Sequence, residues 1–330
     1  MSIRKWMLPE GVEETLPPLS WQMEDLRRKL LDHYRKQGYE LVLPPLIEHL
    51  DALLTGTAQG LEQQTFKLTD PASGRLLGLR ADMTPQAARI AARRYADTAV
   101  ARLCYLGTVL RTVPDELGGS RSPRQVGCEI FGVPGLEGDL EAMKLMIKTV
   151  KLAGLRKVHL DLGHVGVYRA LTGRLGLDAD AEGALFDILQ RKSQPDLESF
   201  ASERELKPRV VDAIAELMTL HGDPGVLQRV RAVRKLGGAA VDDAVAVLEH
   251  IVAELTRSDR KQSIHVDLAE LRGYRYHTGL VFAAFAPGHG REIARGGRYD
   301  GVGAEFGAAR PATGFSADLN ELLRLGSSST

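Results

Sequence analysis

The chain has 330 residues, 43 Lys and Arg balanced by 43 Asp and Glu, and 44% hydrophobic residues, a globular composition long enough for two domains or one large domain with an insertion. An isoelectric point near 7.1 lacks the basic excess that sequence-independent binding to a phosphate backbone needs, which disfavours a dedicated nucleic-acid protein. Cys104 and Cys128 are too few for a disulfide framework and lack zinc-site spacing; no apolar run approaches the roughly 18 residues of a membrane span; and Trp6 and Pro9 stand where a signal peptide would be apolar, so a cytoplasmic chain is expected.

After a Pro-rich opening, Leu19, Met23, Leu26, Leu30, Leu31 and Tyr34 recur at helical spacing and predict an amphipathic helix that Gly38 closes. Residues 39–45 read as a short edge or interface strand ended by Pro44 and Pro45, which cannot donate to a ladder. Residues 66–79 read as a hairpin around Asp70–Gly74, and Thr84–Tyr95 as a helix. Ala101–Leu106 and Gln125–Val133 read as antiparallel strands joined by a long loop, followed by a helix over Asp139–Ala153 and a strand over Val158–Leu162.

From about residue 168 to 255 the pattern is helical, with breaks at Ser193–Pro195 and Gly222–Pro224, as in an inserted helical subdomain. Strands return at Ile264–Leu268 and Leu280–Phe285, then the glycine-dense run Ala294–Gly301 and a helix over Ala317–Leu325, with a disordered tail expected at 326–330.

Five segments place polar residues at strand ends or turns: Arg80–Thr84, Arg111–Arg124, Gln125–Glu129, Arg272–Thr278 and Arg295–Asp300. An arginine at a strand end is more often structural than a ligand contact. Glu129 is more informative, because a carboxylate among Val126, Cys128, Ile130 and Phe131 carries a large desolvation cost unless it meets a cation or donors. Gly296–Gly297 allows close backbone approach, or simply a tight bend.

Taken in order, Leu79–Thr84, Tyr105–Arg111, Gln125–Gly132, Leu271–Tyr276 and Gly296–Gly301 resemble the catalytic core of histidyl-tRNA synthetase, a class II synthetase, over about residues 5–325. The resemblance implies an α+β fold, an antiparallel sheet flanked by helices with a helical insertion at about 168–255, and a Pro44–Pro45 strand near a dimer interface. It also implies a histidine pocket of Asp82, Thr84, Arg111, Gln125, Glu129, Arg272, Tyr276 and His277. Within it Asp82 stands where the synthetases use a glutamate for the α-amino group, His277 replaces a tyrosine and Arg275 an aspartate.

The departures lie on the ATP side. Arg111 is followed by Thr112 and Val113 where the synthetases place an adenine-positioning glutamate, the loop Pro114–Ser120 is acidic, and Glu321 stands at the phosphate-binding arginine of motif 3. Two like charges 4 Å apart repel by roughly 4 kcal/mol at an effective dielectric near 20, so Glu321 opposes a phosphate. The chain also ends where an anticodon-binding domain would begin.

A histidine pocket kept, an ATP side dismantled and no tRNA domain resemble the regulatory subunits of ATP phosphoribosyltransferase. That resemblance implies a noncatalytic subunit of a glycosyltransferase complex, with no cofactor and no metal, that joins a short-form catalytic subunit in a hetero-oligomer as a self-dimer and mediates feedback by L-histidine. No tRNA and no membrane partner are expected. Two alternatives stand beside it: an enzyme that passes histidyl-adenylate to a non-tRNA acceptor, and a scaffold with a dead pocket.

Overall fold

The structure is a computed structural model that describes residues 7–55, 59–114, 119–271, 273–274, 276–307 and 309–327. Two compact units divide the chain, Met1–Arg156 with Asp300–Thr330, and Lys157–Tyr299.

In the first unit, α1 (Leu19–Lys36) buries Met23, Leu26, Leu30 and Tyr34, the face its apolar spacing dictates. Next come β1 (Glu40–Leu41), β2 (Ile47–His49), the short helices α2 (Leu50–Leu54) and α3 (Gln59–Gln64), β3 (Lys67–Thr69) and β4 (Leu76–Leu79). The strand expected over 39–45 is therefore cut short: the two prolines end ladder donation, and the chain re-enters a different, three-stranded sheet in the order β2-β4-β3. The β3–β4 hairpin forms as expected, closed by Asp70 N–H to Arg75 O at 2.9 Å, with Gly74 at φ 70°.

Helix α4 (Thr84–Arg94), β5 (Ala101–Thr108), β6 (Arg124–Phe131) and α5 (Gly135–Leu152) follow. In the second unit are β7 (His159–His164), α6 (Val165–Leu175), α7 (Ala179–Arg191), α8 (Gln194–Glu203), α9 (Pro208–Thr219), β8 (His221–Gly222), α10 (Arg231–Gly237), α11 (Ala239–Ser258), β9 (Ser263–Asp267), β10 (Leu280–Phe285) and β11 (Glu292–Arg298). The stretch read as helical is so, apart from two-residue β8 at the expected Gly222 break. The glycine-dense run is mostly strand, with Gly296 and Gly297 opposite Phe282 and Val281. The chain returns to the first unit with β12 (Ala312–Asp318) and α12 (Leu319–Ser327). The expected tail is thus corrected at its start, since Gly326 and Ser327 complete a helical turn; residues 328–330 lie outside the described residues.

The fold is mixed α+β, with antiparallel pairing dominant. In the first unit β5, β6 and β12 run antiparallel, and β1 pairs parallel with β5. In the second, β11, β10 and β7 are antiparallel neighbours, and β9 joins β7 in parallel because a long helical crossover separates them. Cys104 and Cys128 are register partners on β5 and β6, both free and buried, and burial pushes the Cys104 thiol up to about 11. Among the described residues no helix is long and apolar enough to cross a membrane.

Candidate functional site

Period-two alternation divides β5, β6 and β12 into two faces. Val126, Cys128 and Ile130 share one face, where the Cys128 thiol interacts with Tyr34 of α1. Gln125, Gly127 and Glu129 point the other way, beside Tyr105 and Gly107 of β5 and Gly314 and Asp318 of β12. Glu129 on this face is only 1% exposed and Gln125 5%.

Their desolvation is offset by a chain of hydrogen bonds. Gln125 Oε1 accepts from Met83 N–H at 2.8 Å, and its Nε2 donates to Asp82 Oδ1 at 2.8 Å. Asp82 Oδ1 also accepts the Thr84 N–H at 2.9 Å. Thr84 Oγ1 lies 3.1 Å from Tyr105 Oη, which donates to Glu129 Oε1 at 2.8 Å. The backbone makes room for this: a Cβ at Gly314 would overlap Glu129 Oε2, and one at Gly127 would lie 2.5 Å from Tyr105 Oη.

The sheet therefore brings together four of the expected residues, Asp82, Thr84, Gln125 and Glu129. Arg111 joins them at the edge, its Nε 3.2 Å from Ala81 O. Tyr105, quoted in the sequence only as part of a motif, is the residue that residue-by-residue reading missed; its signal was a tyrosine facing a glycine across two strands. Arg80 instead serves the frame, donating from Nε to Thr108 O at 2.9 Å and from Nη1 to Pro44 O at 2.7 Å.

In the second unit, Tyr276 stacks on Tyr299 with centroids 5.1 Å apart and meets His277 edge-on at 5.6 Å. Arg169 Nη2 donates to His277 O at 2.6 Å and to Tyr274 O at 2.9 Å, fixing that turn. A Cβ at Gly297 would approach the His277 ring to 2.5 Å, so the glycine lets the imidazole lie against β11. Arg272 and Arg275 lie outside the described residues.

The residues that the resemblance sets on the ATP side are arranged differently. Val113 is 56% exposed, while Thr112 N–H and Oγ1 donate to the carbonyls of Gln64 and Gln63 at 2.9 and 2.6 Å. Arg121 donates to Arg111 O and Glu10 O, both at 3.1 Å, and its guanidinium lies 5.3 Å from the centroid of Phe66. Arg124 Nη1 is taken by Thr15 Oγ1 and Asn320 Oδ1 at 2.8 and 3.1 Å. Glu321 pairs with Arg324 at 2.7 Å. Burial pushes the Asp318 carboxyl up to about 6, with Glu321 adding to the shift and Arg111 opposing it. The acidic loop at 115–118 lies outside the described residues. Among the described residues no three His, Cys, Asp or Glu side chains are grouped to hold a metal ion.

Comparison with known proteins identifies the family. The histidyl-tRNA synthetase family model matches residues 11–322. An ATP phosphoribosyltransferase regulatory subunit of Thioalkalivibrio sulfidiphilus is 52% identical over 321 residues, 97% of this chain and 81% of that protein. The chain belongs to the ATP phosphoribosyltransferase regulatory subunits. A regulatory subunit of the same description from Methylococcus capsulatus is 51% identical, covering 97% of this chain and 79% of its own.

A solved structure described as an ATP phosphoribosyltransferase regulatory subunit/histidyl-tRNA synthetase from Bacillus halodurans superposes with a TM-score of 0.85 at 26% identity, covering 97% of this chain and 82% of that one. The class II synthetase-like fold expected from the motifs is thus the fold of an ATP phosphoribosyltransferase regulatory subunit, noncatalytic and of histidine biosynthesis. One expectation is corrected. The chain is not a glycosyltransferase subunit: its relatives are ATP phosphoribosyltransferase regulatory subunits and its fold is synthetase-like. That broader class was borrowed from a partner's reaction, and no residue of this chain carried it.

Proposed function

We propose that the chain acts with a catalytic ATP phosphoribosyltransferase subunit of the short form and reports L-histidine to it. The observation that carries this reading is the contrast within one sheet, where the amino-acid side is wired through Asp82, Thr84, Gln125 and Glu129 while Arg121 and Arg124 are engaged by other groups of the chain. Among the described residues Asp82 Oδ2 has no hydrogen-bond partner, so it suits a ligand ammonium, and Glu129 suits an imidazole N–H. Gln125 holds Asp82 in place. The other residues that the resemblance assigns to histidine, Arg111, Arg272, Tyr276 and His277, are tested by calorimetric titration of single variants with L-histidine.

A pocket without a reaction is suited to sensing. Linkage requires that, if histidine weakens the productive complex, that complex weakens histidine binding equally, with a typical coupling of about 1–3 kcal/mol. In this reading the chain self-dimerises within a hetero-oligomer and takes no tRNA. Exposed Leu41, Leu43, Leu46 and Ile47 cluster around Pro44–Pro45, and contiguous exposed apolar side chains of this kind support an interface there.

The test is phosphoribosyl-ATP formation by a short catalytic subunit alone, with this chain, and with this chain plus histidine. Stimulation that histidine reverses is expected. Stimulation that histidine leaves intact reduces the role to scaffolding, and no stimulation removes the assignment.

A further inference from the structure

Among the described residues Tyr105 is the one buried hydroxyl that bonds both Thr84 and Glu129, and the motifs give it no role of its own. Its ring is packed with Met83, Ala87 and Val109, with Val42 against the cluster. In register it faces Gly127, and only a glycine there lets the ring lie across β6 toward Glu129, whose own register partner on β5 is Leu103. Glu129 is in turn seated against Gly314 of β12.

The direction of the hydrogen bonds follows from counting hydrogens. A phenol has one, and Tyr105 gives it to Glu129 Oε1 at 2.8 Å. Tyr105 Oη can then only accept from Thr84 Oγ1, 3.1 Å away, so the threonine hydrogen is also committed. The Thr84 N–H and one Gln125 amide hydrogen are spent on Asp82 Oδ1. The result is a one-way chain in which Thr84 turns a lone pair, not a hydrogen, toward a ligand, and Glu129 is held in one orientation by a neutral donor.

We propose that Tyr105 is a positioning residue that sets the ligand specificity of this wall: by fixing Glu129 as an oriented acceptor and denying Thr84 its hydrogen, it selects an amino acid whose ring donates an N–H. This rests on the histidine reading above and deepens it. Without the phenol hydroxyl, Thr84 is free to rotate and donate, and Glu129 loses the hydrogen bond from Tyr105, while the ring packing survives.

The experiment is calorimetric titration of the full chain with L-histidine and, by competition, with β-(2-thienyl)alanine, whose ring has similar shape but no N–H. Wild type should prefer histidine by at least about 100-fold, because a site built to pair with a donor rejects the analogue that lacks it. Tyr105→Phe should narrow that ratio at least about tenfold, the value of one hydrogen bond to a charged group. Thr84→Val should weaken both ligands and narrow the ratio less than Tyr105→Phe does, because Glu129 keeps its Tyr105 donor. Thermal melting checks that Tyr105→Phe still folds, and the conservative pair Tyr105→Phe and Tyr105→Leu separates hydroxyl from ring: both should narrow the ratio, and only the leucine variant should also lower the melting temperature markedly. An unchanged ratio in folded Tyr105→Phe overturns the proposal while leaving the histidine reading intact. Absence of histidine binding to wild type brings down both.

Discussion

Two adjoining parts of the β5–β6–β12 sheet were built from the same kinds of residue and ended differently. On the amino-acid side, each buried polar group is answered: Gln125 by Met83 and Asp82, Glu129 by Tyr105, Asp82 by Thr84. On the former nucleotide side the cations are present but occupied, Arg121 by the carbonyls of Arg111 and Glu10 and Arg124 by Thr15 and Asn320, while Glu321 adds negative charge next to an already raised Asp318. A pocket survives when its groups are preorganised with a polarity that suits a ligand. Having arginines in the neighbourhood is not enough.

The sharpest way to break this contrast is Glu129→Ala. It removes the acceptor assigned to the imidazole and takes from the Tyr105 hydroxyl its carboxylate acceptor, so histidine affinity should fall about 100-fold or more. Calorimetry on the folded variant measures it, and unchanged affinity would move the site elsewhere.

Gly314→Ala attacks the same side through volume. The added methyl would overlap Glu129 Oε2 and lie 2.6 Å from Cys128 O, so a destabilisation of about 2–3 kcal/mol is expected, read as a drop of several degrees in melting temperature. A melting temperature equal to wild type would mean that Glu129 does not sit against β12.

The nucleotide side is sharpened by pH. The Asp318 carboxyl titrates near 6 in the folded chain against 3.8 for its ordinary value, so between these values the unfolded chain binds fewer protons than the folded one. Its contribution to stability is therefore full below about pH 4 and is lost as pH rises through 6. Asp318→Asn keeps an acceptor for Asn320 N–H and cannot ionise. It should match wild type in melting at pH 4 and exceed it at pH 7.5 by about 1–2 kcal/mol, after allowance for solvent screening. A larger gain at pH 4 than at pH 7.5 would reverse the sign of this argument.

The smallest expected effect is that of Glu321→Ala. It removes an exposed i,i+3 pair with Arg324 and should change stability by less than about 1 kcal/mol. Histidine-dependent exchange of pyrophosphate into ATP should stay at background in wild type and in this variant, since Arg121 and Arg124 remain engaged. Exchange gained by the variant would show that one charge alone had silenced the nucleotide side.

The long helices were legible because their apolar spacing is strong: α1 buries Met23, Leu26, Leu30 and Tyr34, the same residues that mark its period. The hairpin around Asp70–Gly74 was legible from its turn chemistry. By contrast β12 was not read as a strand: only its last residues, Ala317 and Asp318, were assigned, and to the helix that follows. Its sequence Ala-Thr-Gly-Phe-Ser-Ala-Asp has small residues and no clean alternation, because both faces are largely covered. Glu129 stood out as a carboxylate in an apolar run, whereas Tyr105 looked like any strand aromatic.

Read from residues alone, the chain showed the elements with strong local signals, the family, and which chemical groups stand at the positions that the resemblance assigns to histidine. Those are properties of spacing and residue type. What only the tertiary structure decided was the pairing of Tyr105 with Gly127 and of Glu129 with Gly314, the direction of the hydrogen bonds from Thr84 to Glu129, and the capture of Arg121 and Arg124 by the segment around Glu10 and Thr15. Each joins residues that are distant along the chain, and a register or a hydrogen-bond direction exists only once the partners are placed, since a shift of one residue would turn Glu129 to the opposite face.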